Sequence, residues 1–216
     1  MTEPNDNGTM LTMSTLKKSD AEFHHGDLQA ALVTAGLRHV EKHGLNSLGL
    51  RQLALVTGVS PTAVYRHFED LEHLKASVAK AAREVLGKMM VDALKAAPTS
   101  RTAKGSIDRF LAIGGAYIDF GIKKSNLYEI AFICFDSPDL EPTSPSPWEI
   151  LMQSLVELNE LGCLSDRNFK TAPTIAWSMV HGFAGLAAQG ATGTVQETTA
   201  SKDVVLRSVL KSLDIK

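Results

Sequence analysis

The chain has 216 residues, 44% apolar and 21% charged, enough to bury a core in one domain or in a small domain fused to a larger one. Lys and Arg (22) nearly balance Asp and Glu (24), so net charge alone advertises neither a nucleic-acid nor a membrane partner. Without a membrane-length apolar run, a secretory-type N-terminus, or disulfide or zinc spacing at Cys134 and Cys163, the expectation is a cytoplasmic protein with no metal and no cofactor.

Residues 1–22 are too polar to offset the entropy of ordering them and are expected to form a disordered tail. From residue 23 onward the apolar pattern has helical period almost everywhere and strand period almost nowhere, which makes the fold all-α. Asp27 to His43 carries Leu28, Ala31, Leu32 and Ala35 on one face, and Gly44 ends it. Two short helices follow, Leu50 to Thr57 and Pro61 to His67. Leu71, Leu74, Val78, Ala81, Val85, Met89 and Ala93 then define one helix from Asp70 to Ala97, a rod of roughly 40 Å. After a loop from Pro98 to Gly105, a helix capped by Ser106 carries Ile107, Phe110, Leu111, Gly114, Tyr117 and Ile118. The next holds Tyr128, Ala131, Phe132 and Phe135, and a proline-rich loop runs from Asp136 to Pro147. Ser146-Pro147-Trp148-Glu149 reads as an N-cap, a first-turn proline and a capping-box glutamate. That helix stops near Gly162. Another, from about Asn168 to Gln189, contains Trp177, His181 and Phe183, and a last one contains Val205, Val209 and Leu213. About nine helices result: a three-helix module at 23–75 and a helical bundle at 76–216.

The informative stretch runs from Arg51 to Phe68. Gly58 supplies a left-handed residue that ends one short helix, Val59 plugs the turn, Ser60 caps the next helix and Pro61 starts it. Ala54 is small enough to let the two helices cross closely. This is the chemistry of a helix-turn-helix, whose second helix enters the DNA major groove. On a helical wheel Val64 and Phe68 point inward, whereas Thr62, Tyr65 and Arg66 point outward, where Tyr and Arg suit phosphates and base edges. His67 falls off that outward arc.

The same module resembles the DNA-binding domain of the TetR/AcrR family of transcriptional regulators. The resemblance rests on His25-Gly-Asp-Leu-Gln-Ala-Ala-Leu32, Glu41-Lys-His-Gly44, Leu50-Arg-Gln-Leu-Ala54, Gly58-Val-Ser-Pro61 and Ala63-Val-Tyr-Arg-His-Phe68. It implies a DNA face of Ser60, Pro61, Thr62, Tyr65, Arg66 and His67, with Arg51 beside it. Two positions depart from the family pattern: Leu71 stands where Lys is frequent, and Gly49 where Ser or Thr is. Residues 24–75 hold five Lys/Arg and five Asp/Glu, yet six of the seven histidines. Phosphate binding is driven by positive charge, so operator affinity is expected to rise as pH falls from about 8 to 6 and histidines protonate.

The remaining two-thirds is similar to the family's ligand-binding bundle, in the subgroup marked by Trp-x-x-x-His-Gly, here Trp177-Ser-Met-Val-His181-Gly182. Asn126-Leu-Tyr-Glu-Ile-Ala-Phe132 also resembles that subgroup. The resemblance implies an effector pocket within the bundle and a homodimer interface on the last two helices. Phe110, Tyr117, Tyr128, Phe132, Trp148, Met152, Trp177 and His181 are the candidate walls, although aromatics at helical spacing also simply pack cores. Ile175, Met179, Gly182, Phe183, Leu186, Val205, Val209 and Leu213 are the candidate dimer contacts, with Gly182 and Gly185 permitting close approach; such stripes can equally face the protomer's own core.

His39 and His43 have metal-ligand spacing but no evident third ligand, and a solvated helix face accounts for them. The leading expectation is a dimeric, ligand-responsive repressor released from a palindromic DNA operator by a small apolar effector. An all-helical enzyme using His181, or a protein-interaction adaptor, are the competing readings.

Overall fold

A computed structural model describes residues 25–133 and 142–215; the expected tail, Cys134 and Phe135 lie outside them. The described residues form ten α-helices: α1 (His25–His43), α2 (Leu50–Thr57), α3 (Pro61–Tyr65), α4 (Leu71–Ala96), α5 (Ala103–Lys123), α6 (Ser125–Ala131), α7 (Pro147–Glu160), α8 (Asp166–Phe169), α9 (Ala172–Ala188) and α10 (Val195–Ser212). A single 3-10 turn, Leu45–Ser47, joins α1 to α2. The count exceeds nine because the expected helix through residue 168 divides. Pro173 lies in the first turn of α9, where its missing N–H costs nothing, and so it starts a new helix.

Side chains set most helix starts. Asp70 accepts from the His73 N–H at 2.8 Å to open α4, and Ser146 accepts from the Glu149 N–H at 3.3 Å to open α7. Thr194 and Glu197 form a reciprocal capping box at α10. The cap of α5 is Thr102, not Ser106: Thr102 accepts from the Gly105 N–H, while the Ser106 hydroxyl is buried and donates to the Ala103 carbonyl.

One continuous core runs through the molecule. Leu32, Val40, Leu53, Val64 and Phe68 are buried between α1, α2, α3 and the start of α4. Farther along, Leu86 and Met90 of α4 join Phe110, Ile113, Tyr117 and Ile118 of α5. Helix α4, 26 residues or about 39 Å, therefore belongs to both halves. Helix α5 crosses α9 so tightly that a Cβ on Gly121 would lie 2.6 Å from the Ala184 carbonyl oxygen. Helix α6 ties the halves together. At its start Asn126 donates to the Glu41 carbonyl at 3.0 Å and Lys124 pairs with the Glu41 carboxylate; at its end Arg83 donates to the Ala131 carbonyl at 2.8 Å.

Candidate functional site

Two places concentrate exposed or polar chemistry. The first is the turn between α2 and α3. Gly58 adopts φ 71°, ψ 19°, and its N–H reaches back to the Ala54 and Leu55 carbonyls. Ser60 then accepts from the Ala63 N–H at 3.2 Å, with Pro61 at the first helical position. Val64 and Phe68 are fully buried, and the His73 ring meets Phe68 edge-on. That anchoring leaves Ser60, Pro61, Thr62, Tyr65 and Arg66 exposed on one short helix, with Arg51 exposed on α2. Tyr65 keeps 50% of its surface open. Helix α3 ends at Tyr65, short of the expected His67, and His67 is half-buried in the turn that follows.

The near-zero charge of this module is unevenly placed. Glu41 is paired with Lys124, Asp70 caps α4 and Glu72 pairs with Lys75, whereas Arg51 and Arg66 stay open to solvent. Glu69, Asp70 and Glu72 are also exposed just after α3, so the surface of the module carries both signs. The same face carries an apolar feature that the sequence reading missed: Leu55 is 75% exposed and Val56 49%. His39 and His43 lie with ring centroids 4.8 Å apart, and His39 Nε2 contacts the Ser47 carbonyl at 3.2 Å. Among the described residues no three His, Cys, Asp or Glu converge to hold a metal.

The second place lies inside the bundle, where α5, α6 and α9 meet. Tyr117 and Tyr128 both bring their hydroxyls to His181 Nδ1, at 2.8 and 3.0 Å, and Tyr128 also donates to the His181 carbonyl at 2.8 Å. The imidazole stacks on Trp177, four residues earlier on α9, and meets the Phe132 ring edge-on at 4.7 Å. Trp148 reaches Trp177 at 5.6 Å while remaining 46% exposed. Burial pushes the Tyr117 hydroxyl far above its ordinary range, with Tyr128 adding to the effect; burial also raises Tyr128. The same desolvation holds His181 below the usual imidazole range, so the trio is neutral at physiological pH.

A narrow apolar cavity of about 30 Å³ adjoins this cluster, walled by Met90, Phe110, Tyr117, Leu151, Trp177 and Val180 among others. A half-open cavity of about 440 Å³ lies on the other side, with Tyr128, Phe132, Asn126 and Glu129 in its wall. Most of the expected walls thus gather around the cluster. Met152 does not: it is half-buried on α7, and its neighbour Leu151 supplies that wall.

The expected dimer stripe divides. Leu186 and Gly182 are exposed, and Ile175, Met179, Phe183 and Val205 are half-buried. A Cβ on Gly182 would meet open space, but one on Gly185 would meet the Tyr128 hydroxyl at 3.5 Å, so Gly185 serves the protomer's own packing. Val209 and Leu213 are corrected in the same way: at 2% and 1% exposure they fill the protomer's core, because α10 packs that face on α5 and α9.

Residues 110–209 match the tetracyclin repressor-like C-terminal domain, on a chain whose preceding residues fold into the helix-turn-helix just described. The bundle belongs to the tetracyclin repressor-like C-terminal domain family. The HTH-type transcriptional regulator YobS of Bacillus subtilis (strain 168) is 24% identical over 188 residues, covering 87% of this chain and 93% of that protein. A protein of unknown function from Rhodococcus sp. RHA1 superposes with a TM-score of 0.67 at 26% identity, covering 88% of this chain and 98% of its own. RolR, solved with resorcinol bound, shares the fold at a TM-score of 0.61 and 13% identity, over 89% of this chain and 90% of that one. No helix among the described residues is long and apolar enough to cross a membrane.

Proposed function

We propose that this regulator binds a palindromic operator as a homodimer and leaves it when a small apolar molecule enters the bundle. The carrying observation is the exposure of Thr62, Tyr65 and Arg66 on a helix whose opposite face, Val64 and Phe68, is fully buried. One such helix reads few base pairs, so two copies at fixed spacing are required. Ile175, Met179, Gly182, Phe183 and Leu186 of α9 with Val205 of α10 offer a self-complementary apolar face for the second copy. Tyr65 and His67 then favour phosphates, Arg66 with Thr62 reads base edges, and Arg51, Ser60 and Pro61 complete the DNA face.

Release follows from where α4 lies. It begins beside the recognition module and contributes Met90 to the wall of the apolar cavity. A molecule that prefers a wider cavity favours a different position of α4, and with it a different separation of the two recognition helices. That RolR binds resorcinol supports a small aromatic effector for a bundle of this shape. The reading is tested by footprinting the DNA flanking the protein's own gene. Protection of a palindrome, its two halves about one helical turn apart, is the expected result. Uniform, sequence-independent protection, or none, would remove the operator from the account.

A further inference from the structure

Release through α4 uses the narrow apolar cavity and leaves the half-open one, between α6 and the end of α9, without a role. The half-open cavity is much the roomier. Its volume is about 440 Å³, against about 30 Å³ for the apolar cavity, which has room for roughly two water molecules. The larger volume falls in the range of small-molecule sites. The space exists because α9 turns Gly185 and Ala188 toward it, while α6 supplies Tyr128, Glu129 and Phe132. Residues 128 and 129 lie four and three positions before 132, so the three share one helix face.

The electrostatics of this cavity are one-sided. Helix α6 carries a single formal charge, Glu129, and α9 contains no Lys, Arg, Asp or Glu. The Glu129 side chain is exposed and has no ion pair or hydrogen-bond partner among the described residues. The two lysines just before α6 are held elsewhere, Lys123 by Asp119 and Lys124 by Glu41. No cation in the wall offsets the carboxylate. Beside it stand two rings whose positions are set in advance. Tyr128 is tied through its hydroxyl to the His181 carbonyl at 2.8 Å, and Phe132 lies 4.9 Å from Tyr128 and meets the imidazole edge-on. Aromatic rings beside a carboxylate attract an ammonium both by charge and by cation–π contact, and rings already fixed lose little freedom on binding.

We propose that this cavity is a ligand site for a small organic cation, an ammonium on an aromatic or alkyl body, held by Glu129 with Tyr128 and Phe132. One carboxylate is too few to hold a metal ion, and an anion meets only repulsion from Glu129. The site goes beyond the regulator reading and stands without it. Its place in the fold gives it reach: Asn126, in the same wall, donates to the Glu41 carbonyl of α1 at 3.0 Å, so an occupant lies beside the joint between bundle and recognition module.

2-Phenylethylamine, 2-phenylethanol and phenylacetate each carry a phenyl ring on a two-carbon arm, ending at neutral pH in an ammonium, a hydroxyl or a carboxylate. Calorimetric titration of the full chain reads their affinities. The amine is expected to bind about tenfold more tightly than the alcohol, with the carboxylate weakest and the amine's advantage shrinking in high salt. Glu129→Gln and Phe132→Leu each remove one of the two attractions and should each reduce that advantage to about threefold. Because Glu129 is exposed, Glu129→Gln should melt with the parent and bind 2-phenylethanol as the parent does. Equal binding of amine and alcohol, preference for the carboxylate, no binding of any of the three, or a full preference surviving in either variant overturns the proposal.

Discussion

The recognition end and the effector end of this molecule treat polar side chains in opposite ways. Around α3, Ser60 holds one backbone N–H, and Tyr65 and Arg66 project into solvent from a short helix pinned by Val64 and Phe68. Around α9, Tyr117, Tyr128 and His181 converge from three helices and are enclosed by Phe132 and Trp177. An interface for a hydrated polyanion has to leave its donors free, because water and counterions are displaced only when DNA arrives. A pocket for a small apolar molecule has to remove its polar groups from water, so that one hydrogen bond discriminates among ligands. Helix α4 spans both environments, which lets a packing change in one reach the other.

That contrast predicts a ranking of effects. The largest belongs to the buried pins: Phe68→Ala should cost about 3–5 kcal/mol in urea unfolding and abolish operator binding with it. If Phe68→Ala unfolds like the parent chain, α3 is not anchored as described. Ser60→Ala should cost about 1 kcal/mol by the loss of a helix cap, measured by the same unfolding curve. A neutral result there would assign the start of α3 to Pro61 alone.

The effector end should show a pH signature instead. Burial lowers the His181 pKa below its unfolded value, so the stability tied to its neutral form is complete above about pH 6.5. It is lost as pH falls through the lower folded value. Because His181 is only half-buried, the effect is screened, and the expected drop in melting temperature between pH 7 and 5 is a few degrees at most, roughly 1–3 °C. His181→Gln should lack that component; an identical pH dependence in both proteins would mean that the imidazole is not the group responsible.

The two ends also differ in how far they can be read from the chain alone. The recognition turn is a local structure, and every part of it has a sequence mark: Gly58 for the left-handed residue, Ser60 and Pro61 for the helix start, and Val64 with Phe68 for the inward side. The pocket is tertiary. Trp177 and His181 share a helical stripe, but nothing in spacing says that Tyr117 and Tyr128 reach the same nitrogen from two other helices. Met152 and Leu151 are adjacent on α7, and choosing between them needs the helix's rotation, which the period fixes only loosely. Val209 and Leu213 misled for a related reason. An apolar stripe on a terminal helix serves a partner or the protomer equally well, and α10 packs this one inward. The missed start of α5 has a plainer cause: Ala103-Lys104-Gly105 carries no large apolar side chain, so the helix period becomes visible only at Ile107.

The central claim is that α3 presents a DNA-reading face while its other face is locked in the core. It is tested most directly by titrating the footprinted operator with the parent chain, Tyr65→Ala and Arg66→Ala, and melting each protein alongside. The account predicts that each variant melts with the parent within about 2 °C and loses on the order of 10-fold to 100-fold in affinity, with Arg66→Ala also relaxing sequence preference. Parent-like affinity in both variants would contradict it.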